Sequence, residues 1–246
     1  MCRMLIAAGI LDMNKLVDGI ISMAKDEFED HEYNKEKGRG SYTNRQGWGV
    51  AYLDDKGKWV VERSLKPIYE DSEIDKFRDL KTKLVIFHAR MKTKGVVAYE
   101  NTHPFNVADP FIGETILFHN GWIKEDITFE DKFKIKGDTD SEQLFYSLLG
   151  KLNDKKPIED VIINELDSYK DITGNNIIFC TEENSYIGIK YKEAPIYYTM
   201  RLSEDKDSLI VSSEELTNIP NRKWTNLDNG EVVKINNYDL SFSKFK

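Results

Sequence analysis

Residues 1–9 read MCRMLIAAG and place one of the chain's two cysteines directly behind the initiator methionine. Cys2 is either a small apolar filler at the head of a strand or, once Met1 is removed, the first residue of the mature chain, with a free α-amino group beside its thiol. The apolar run that follows predicts a buried strand over 3–10, which would hold that terminus at the rim of a sheet. The periodicity then changes. "MNKLVDGIISMAKDEFE" (13–29) predicts a helix with Leu16, Val17, Ile20, Ile21, Ala24 and Phe28 on one face. The polar stretch "DHEYNKEKGRGSYTNRQ" (30–46) is expected to be a long mobile loop, because loops of that length in compact domains are functional or disordered.

"GWGVAYLDDKGKWVVERS" (47–64) is two apolar runs around Asp-Lys-Gly, a hairpin signal. Further strands are predicted at 83–89, 115–119, 176–181, 185–191, 195–200, 208–213 and 231–235, and helices near 72–80, 140–152 and 157–168, the last opened by Pro157. Strands in hairpin-like pairs, with a few amphipathic helices in blocks, point to an α+β fold with antiparallel sheets. The 246 residues, 40% of them apolar, contain no internal repeat, low-complexity tract or linker, so one domain over 1–246 is expected.

A formal net charge of −8 with scattered Lys and Arg leaves no electrostatic footprint for nucleic acid or an anionic membrane. No apolar run approaches the roughly 18 residues of a membrane span, and the opening apolar stretch is too short for a secretory signal. A cytoplasmic location is the expectation. Cys2 and Cys180 form neither a disulfide framework nor a C-x-x-C metal spacing.

Chemistry begins at "FHAR" (87–90), "NTHPF" (101–105), "FHNGWI" (118–123) and "GDTDSEQ" (137–143), which follow one another at intervals of about 15 to 20 residues. Each alone has an ordinary reading: His88 and His119 as bonded core histidines, His103 as a turn brace, "TDSEQ" as a capped helix start. The histidines show no H-x-x-x-H pairing, so no metal and no cofactor is expected.

Taken in order, "MCRML", "GWGVAY", "HARMKT", "NTHPF", "HNG" and "TDSE" resemble the class II glutamine amidotransferases, N-terminal-nucleophile enzymes that hydrolyse the side-chain amide of glutamine, and most of all their small stand-alone members beginning Met-Cys-Arg. The match covers residue 2 to about 145, with a weaker continuation in "LIVSSEEL" (209–216) and "GEVVKI" (230–235). The resemblance implies a four-layer αββα sandwich of two mostly antiparallel sheets. It implies Cys2 as nucleophile, Asn120 and Gly121 as the oxyanion hole, Arg90 as the fork for the substrate carboxylate, and Asp140 as acceptor from its ammonium. Thr93 matches a binding position, and Trp48 and Gly49 are expected to line or support the pocket.

The residue chemistry agrees. An amide is a poor electrophile, so its hydrolysis needs a soft nucleophile, a base and an oxyanion stabiliser. A free Cys2 supplies the first two, since an α-amino group with a pKa of about 7.7–8.0 can take and return a proton near neutrality. "HARMKTKG" departs from the better-known His-Thr-Arg-Trp-Ala-Thr-His-Gly at Met91 and Lys94, which leaves room for a different γ-glutamyl or amide substrate. Family members that use the released ammonia carry a synthase domain, whereas the residues after "TDSEQ" suffice only to finish the sandwich. The expected partners are therefore glutamine and a possible separate synthase subunit. An amidohydrolase on another amide is one alternative. A non-catalytic glutamine-binding module is the other, disfavoured because it would not need Cys2, Asn120 and Gly121. Cys180 reads as a core residue.

Overall fold

A computed structural model describes residues 2–36, 41–109, 113–152 and 156–246. Its first strand, β1 (Arg3–Gly9), carries an unbroken apolar run because both of its faces are covered. Met4, Ile6 and Ala8 point to one side, and Leu5 and Ala7 to the other. β1 is the middle strand of a seven-stranded sheet with β2 (Trp48–Leu53), β3 (Trp59–Ser64), β4 (Leu84–Ala89), β9 (Arg201–Glu204), β10 (Ser208–Ser212) and β11 (Thr225–Asn226), in the order β11-β9-β10-β1-β4-β2-β3. A second sheet has six strands: β5 (Phe105–Asp109), β6 (Gly113–Ile123), β7 (Ile172–Cys180), β8 (Asn184–Gly188), β12 (Val232–Asn236) and β13 (Phe242–Phe245), ordered β13-β12-β8-β7-β6-β5. Neighbouring strands in both sheets pair antiparallel.

The even-numbered side chains of β1 meet Ile116, Phe118, Ile178 and Cys180 of the second sheet in a dry middle layer. On the outer face of the first sheet, Leu5, Val50 and Phe87 pack under α1 (Met13–Lys25) and a 3-10 helix over Ser72–Asp79. On the outer face of the second, Leu117, Ile177 and Phe179 pack under α3 (Asp140–Lys151) and α4 (Ile158–Ser168). The order helix, sheet, sheet, helix is the αββα sandwich.

The differences from expectation are local and have local causes. The first helix stops at Lys25, four residues early, because Asp26 adopts a left-handed conformation (φ 65°) and donates its N–H to the Met23 carbonyl. Its carboxylate, held below the ordinary range by hydrogen bonds to His31 and the Tyr42 N–H against the opposing effect of burial, then fastens the next segment. The expected loop 30–46 thus contains a short helix, α2 (Glu32–Glu36), and the buried residues His31, Tyr33, Tyr42 and Asn44; its residues 37–40 lie outside those described. The strand expected at 195–200 is helix α5 (Pro195–Tyr198), whose first N–H groups, on Ile196 and Tyr197, donate to the Glu32 carboxylate. Strand β9 follows it. The helix near 72–80 is 3-10 rather than α.

β2 passes close to the His103 carbonyl, just ahead of β5 of the second sheet. A Cβ built on Gly49 would lie 1.9 Å from that oxygen and 2.9 Å from Pro104 Cδ. Gly49→Ala is therefore expected to cost about 1–3 kcal/mol of stability by overpacking, at roughly 2–4 °C of Tm per kcal/mol in a chain of this size, measured by thermal unfolding. An unchanged Tm would show that the gap between the sheets yields.

Candidate active site

The head of β1 is held from several sides. The Cys2 backbone nitrogen donates to Asn120 Oδ1 at 2.8 Å, and its carbonyl accepts from the Tyr197 hydroxyl at 3.0 Å. One residue on, Arg3 is buried against Glu214 in an ion pair, donates to the Tyr197 carbonyl at 3.1 Å and stacks on the Tyr197 ring, 3.8 Å from its centroid. Ser213 closes the strand start by exchanging bonds with both polar groups of the Met4 backbone. Cys2 is 7% exposed, and its Sγ contacts the Met91 carbonyl at 3.6 Å.

Asn120 and Gly121 sit within β6, opposite Asn176 and Asn175 of β7, where the register slips between Gly121 and Ile123. The slip matters in two ways. It turns the Ile123 N–H to the Asp140 carboxylate, 2.8 Å from Oδ2. It also brings Gly121 so close to β7 that a Cβ would stand 1.8 Å from the Gly174 carbonyl, so glycine is the residue the approach allows. With Oδ1 of Asn120 taken by Cys2, its Nδ2 has no hydrogen-bond partner among the described residues.

Arg90 follows β4 directly. Its side chain is wrapped by backbone carbonyls of Gln46, Lys94 and Val96 at 3.4–3.5 Å, long contacts that leave the guanidinium weakly engaged. Burial lowers its pKa, while Cys2 and Asp138 act in the opposite sense. Among the described residues no carboxylate forms an ion pair with it. Arg90, Thr93, Gly121, Asp140 and Cys2 line one small cavity of about 20 Å³, room for roughly one water. Met91, Lys92 and Lys94 close its outer side.

Trp48, expected to line or support the pocket, is not among the residues that line it. Strand alternation turns it to the outer face of its sheet, where it packs edge-on to Phe77 and donates to Asp71 at 3.1 Å, and it does not border the cavity. Gly49 faces the inter-sheet gap and supports the His103 turn by its lack of a side chain. Tyr197, Arg3 and Glu214 are residues that sequence reasoning missed as neighbours of Cys2. "SSEEL" had marked the position of Glu214 without its partner, whereas Tyr197 sits in a segment expected to be a strand.

His103 and His119 also line the cavity and cluster with His88, with ring centroids 4.3 Å apart for His88 and His103 and 6.5 Å for His103 and His119. His88 Nε2 meets the His119 carbonyl at 3.2 Å, and His119 Nδ1 meets Ser141 Oγ at 2.8 Å. Burial pushes the pKa of His88 down to about 3, that of His119 to about 4 and that of His103 well below its ordinary value. At neutral pH they are uncharged braces. No group of three or more His, Cys, Asp or Glu side chains able to hold a metal occurs among the described residues, and no helix among them is long and apolar enough to cross a membrane.

The family model for glutamine amidotransferases class-II matches residues 23–176, so that Cys2 lies ahead of the matched stretch. The chain is 26% identical over 231 residues to the uncharacterized protein MJ1515 of Methanocaldococcus jannaschii, covering 80% of this chain and 62% of the relative. It is 23% identical over 201 residues to the glutamine–fructose-6-phosphate aminotransferase (isomerizing) of Francisella tularensis, covering 79% of this chain and 31% of that enzyme. It thus spans less than two thirds of either relative. The solved glutamine phosphoribosylpyrophosphate amidotransferase of B. subtilis superposes on 100% of this chain and 49% of its own with a TM-score of 0.70 at 17% identity, a likeness of fold.

The histidine cluster gives a pH prediction. The folded pKa values lie below the unfolded value of about 6.5, so the unfolded chain takes up more protons as pH falls through that value and stability declines. Above that value the cluster exacts no such loss. Between pH of about 7 and 5 each imidazole is expected to remove up to about 1.4 kcal/mol per pH unit, seen as a falling urea midpoint, and His88→Gln should flatten the slope. A midpoint flat over that range would contradict the neutral assignment.

Proposed function

Because the chain belongs to the class II glutamine amidotransferase family, we propose that it hydrolyses the side-chain amide of glutamine through a thioester on Cys2, and that residues 1–246 act as one such domain. The observation that carries this reading is the 2.8 Å contact between the Cys2 nitrogen and Asn120, at a cavity shared by Cys2, Arg90, Gly121 and Asp140.

With Met1 removed, that nitrogen is a free amine. It takes the thiol proton, and the thiolate attacks the amide carbon, forming a C–S bond while the carbonyl oxygen gains the negative charge. Asn120 Nδ2, without a partner among the described residues, and the Gly121 N–H are the donors for that oxyanion. As the C–N bond breaks, the ammonium of Cys2 returns its proton to the leaving nitrogen and ammonia departs. Water, deprotonated by the same amine, then cleaves the thioester to give glutamate. Arg90, weakly engaged and without a carboxylate ion pair among the described residues, suits the α-carboxylate, and Asp140 suits the α-ammonium. Thr93 adds a hydroxyl at the rim. A glutamine molecule needs more room than one water, so segment 91–94 moves outward to admit it. The neutral histidines take no part in proton transfer. Ammonia passes to an acceptor or to a separate synthase subunit.

Lys94 supports a second reading. It borders the cavity near Arg90 and has no ion-pair partner among the described residues, so a γ-glutamyl compound with a further negative group would suit the same chemistry.

Ammonia release from glutamine, with intact mass measured on the same sample, tests the proposal. The active protein is expected to lack Met1, Cys2→Ala to be inactive, and Asn120→Ala to lose about 10²–10³ in kcat. Full turnover in a chain shown by mass to retain Met1 would refute the mechanism. Asp140→Asn is expected to raise KM far more than it lowers kcat, because the carboxylate holds a group remote from the scissile bond; the reverse pattern removes it from ammonium binding.

A further inference from the structure

Beyond the Cys2 site lies a larger cavity of about 400 Å³, within the range of small-molecule sites. It is bounded by β3, β5, the turn at 99–101 and the start of α3. Its apolar side is Phe105, Val107 and Tyr146, and its polar side is Arg63, Asn106 and Lys136.

Arg63 is the informative residue. Its guanidinium is half-buried, which lowers its pKa, yet no carboxylate forms an ion pair with it among the described residues. Nη2 donates to Asn106 Oδ1 at 2.5 Å, and the half-exposed Tyr99 ring covers the group at 5.0 Å. Nη1 has no hydrogen-bond partner among the described residues. A partly desolvated cation with no carboxylate in contact is costly unless a ligand supplies one. Two carboxylates also border the cavity. Glu142 is already engaged, its oxygens accepting from the Lys136 and Gly137 N–H groups at 2.8 Å each. Glu100 is exposed and acts on Arg63 through space against the effect of burial, without forming an ion pair with it. Arg63 is therefore a cation of the cavity with no carboxylate in contact with it, and part of its hydrogen-bonding capacity is open.

The cavity shares a wall with the Cys2 site. Asn101 pins that wall, donating from Nδ2 to the Val96 carbonyl (3.1 Å) and to Asp138 (2.6 Å) and accepting the Asp138 N–H (3.0 Å). Val96 also accepts from Arg90. Cβ atoms on Gly95 and Gly137 would stand 2.4 and 2.1 Å from Asp138 and Asn101, so the two loops meet without spacing.

We propose that this cavity is a second ligand site, taking a small molecule in which a carboxylate or phosphate is joined to a flat or apolar body. The oxyanion sits on Arg63 and Lys136, and the body lies against Phe105, Val107 and Tyr146. The proposal does not depend on the reading of Cys2. Isothermal titration calorimetry of the full chain with phenyl phosphate, benzoate, inorganic phosphate and benzyl alcohol tests it. One of the two aryl oxyanions is expected to bind at a single site, more tightly than either inorganic phosphate or the neutral alcohol, and which of them wins identifies the head group. Arg63→Gln should weaken that binding at least about tenfold and Lys136→Gln several-fold, while Arg90→Gln leaves it unchanged. Should Arg63→Gln fail to fold, the exposed Lys136 decides. Absence of binding by both aryl oxyanions at millimolar concentration overturns the proposal, as does equal binding by the Lys136→Gln variant or loss of binding in Arg90→Gln.

Discussion

The arrangement rests on how the first residues of β1 are fastened. A strand terminus normally frays, yet here the backbone of Cys2 is gripped by Asn120 from the second sheet and by Tyr197 from a helix beyond the first. The buried Arg3–Glu214 pair underlies that grip, because Arg3 is also the platform for Tyr197. Removing one member would leave the other charged and buried, a change that typically costs about 3–5 kcal/mol. The site is therefore a product of long-range contacts: residues 2, 120, 197 and 214 are brought together only when both sheets and α5 are in place.

That dependence explains what the sequence discloses. The unbroken apolar run of β1, the hairpin of β2 and β3, and the amphipathic faces of α1, α3 and α4 are local patterns, and they account for the layered architecture. Cys2, Asn120, Gly121, Arg90 and Asp140 stand out because their residue types occur in an ordered series. Tyr197 does not, since "PIYYTM" carries β-forming residues and becomes a helix only because Glu32, more than 160 residues earlier, caps its N–H groups. The short edge strands β11 and β13 are equally opaque, being defined by their neighbours. Trp48 shows the converse: its place beside Gly49 in a motif says nothing about which face of the strand it occupies, and the pleat decides.

The three histidines illustrate how a polar residue is used without its proton chemistry. Each is buried and held neutral, and neither ring nitrogen of His103 has a hydrogen-bond partner among the described residues. They pack beside the Cys2 cavity as flat rings, and His88 meets the His119 carbonyl, a contact that an aliphatic side chain would not make.

Cys180 lies in the middle layer between the two sheets, fully buried, with its thiol pushed up to about 12 by burial. A thiol in that state does not meet an alkylating reagent while the sheets are apposed. It becomes reachable only when the sandwich parts, so its rate of modification is an internal clock for the opening of the core, running on the native protein without denaturant.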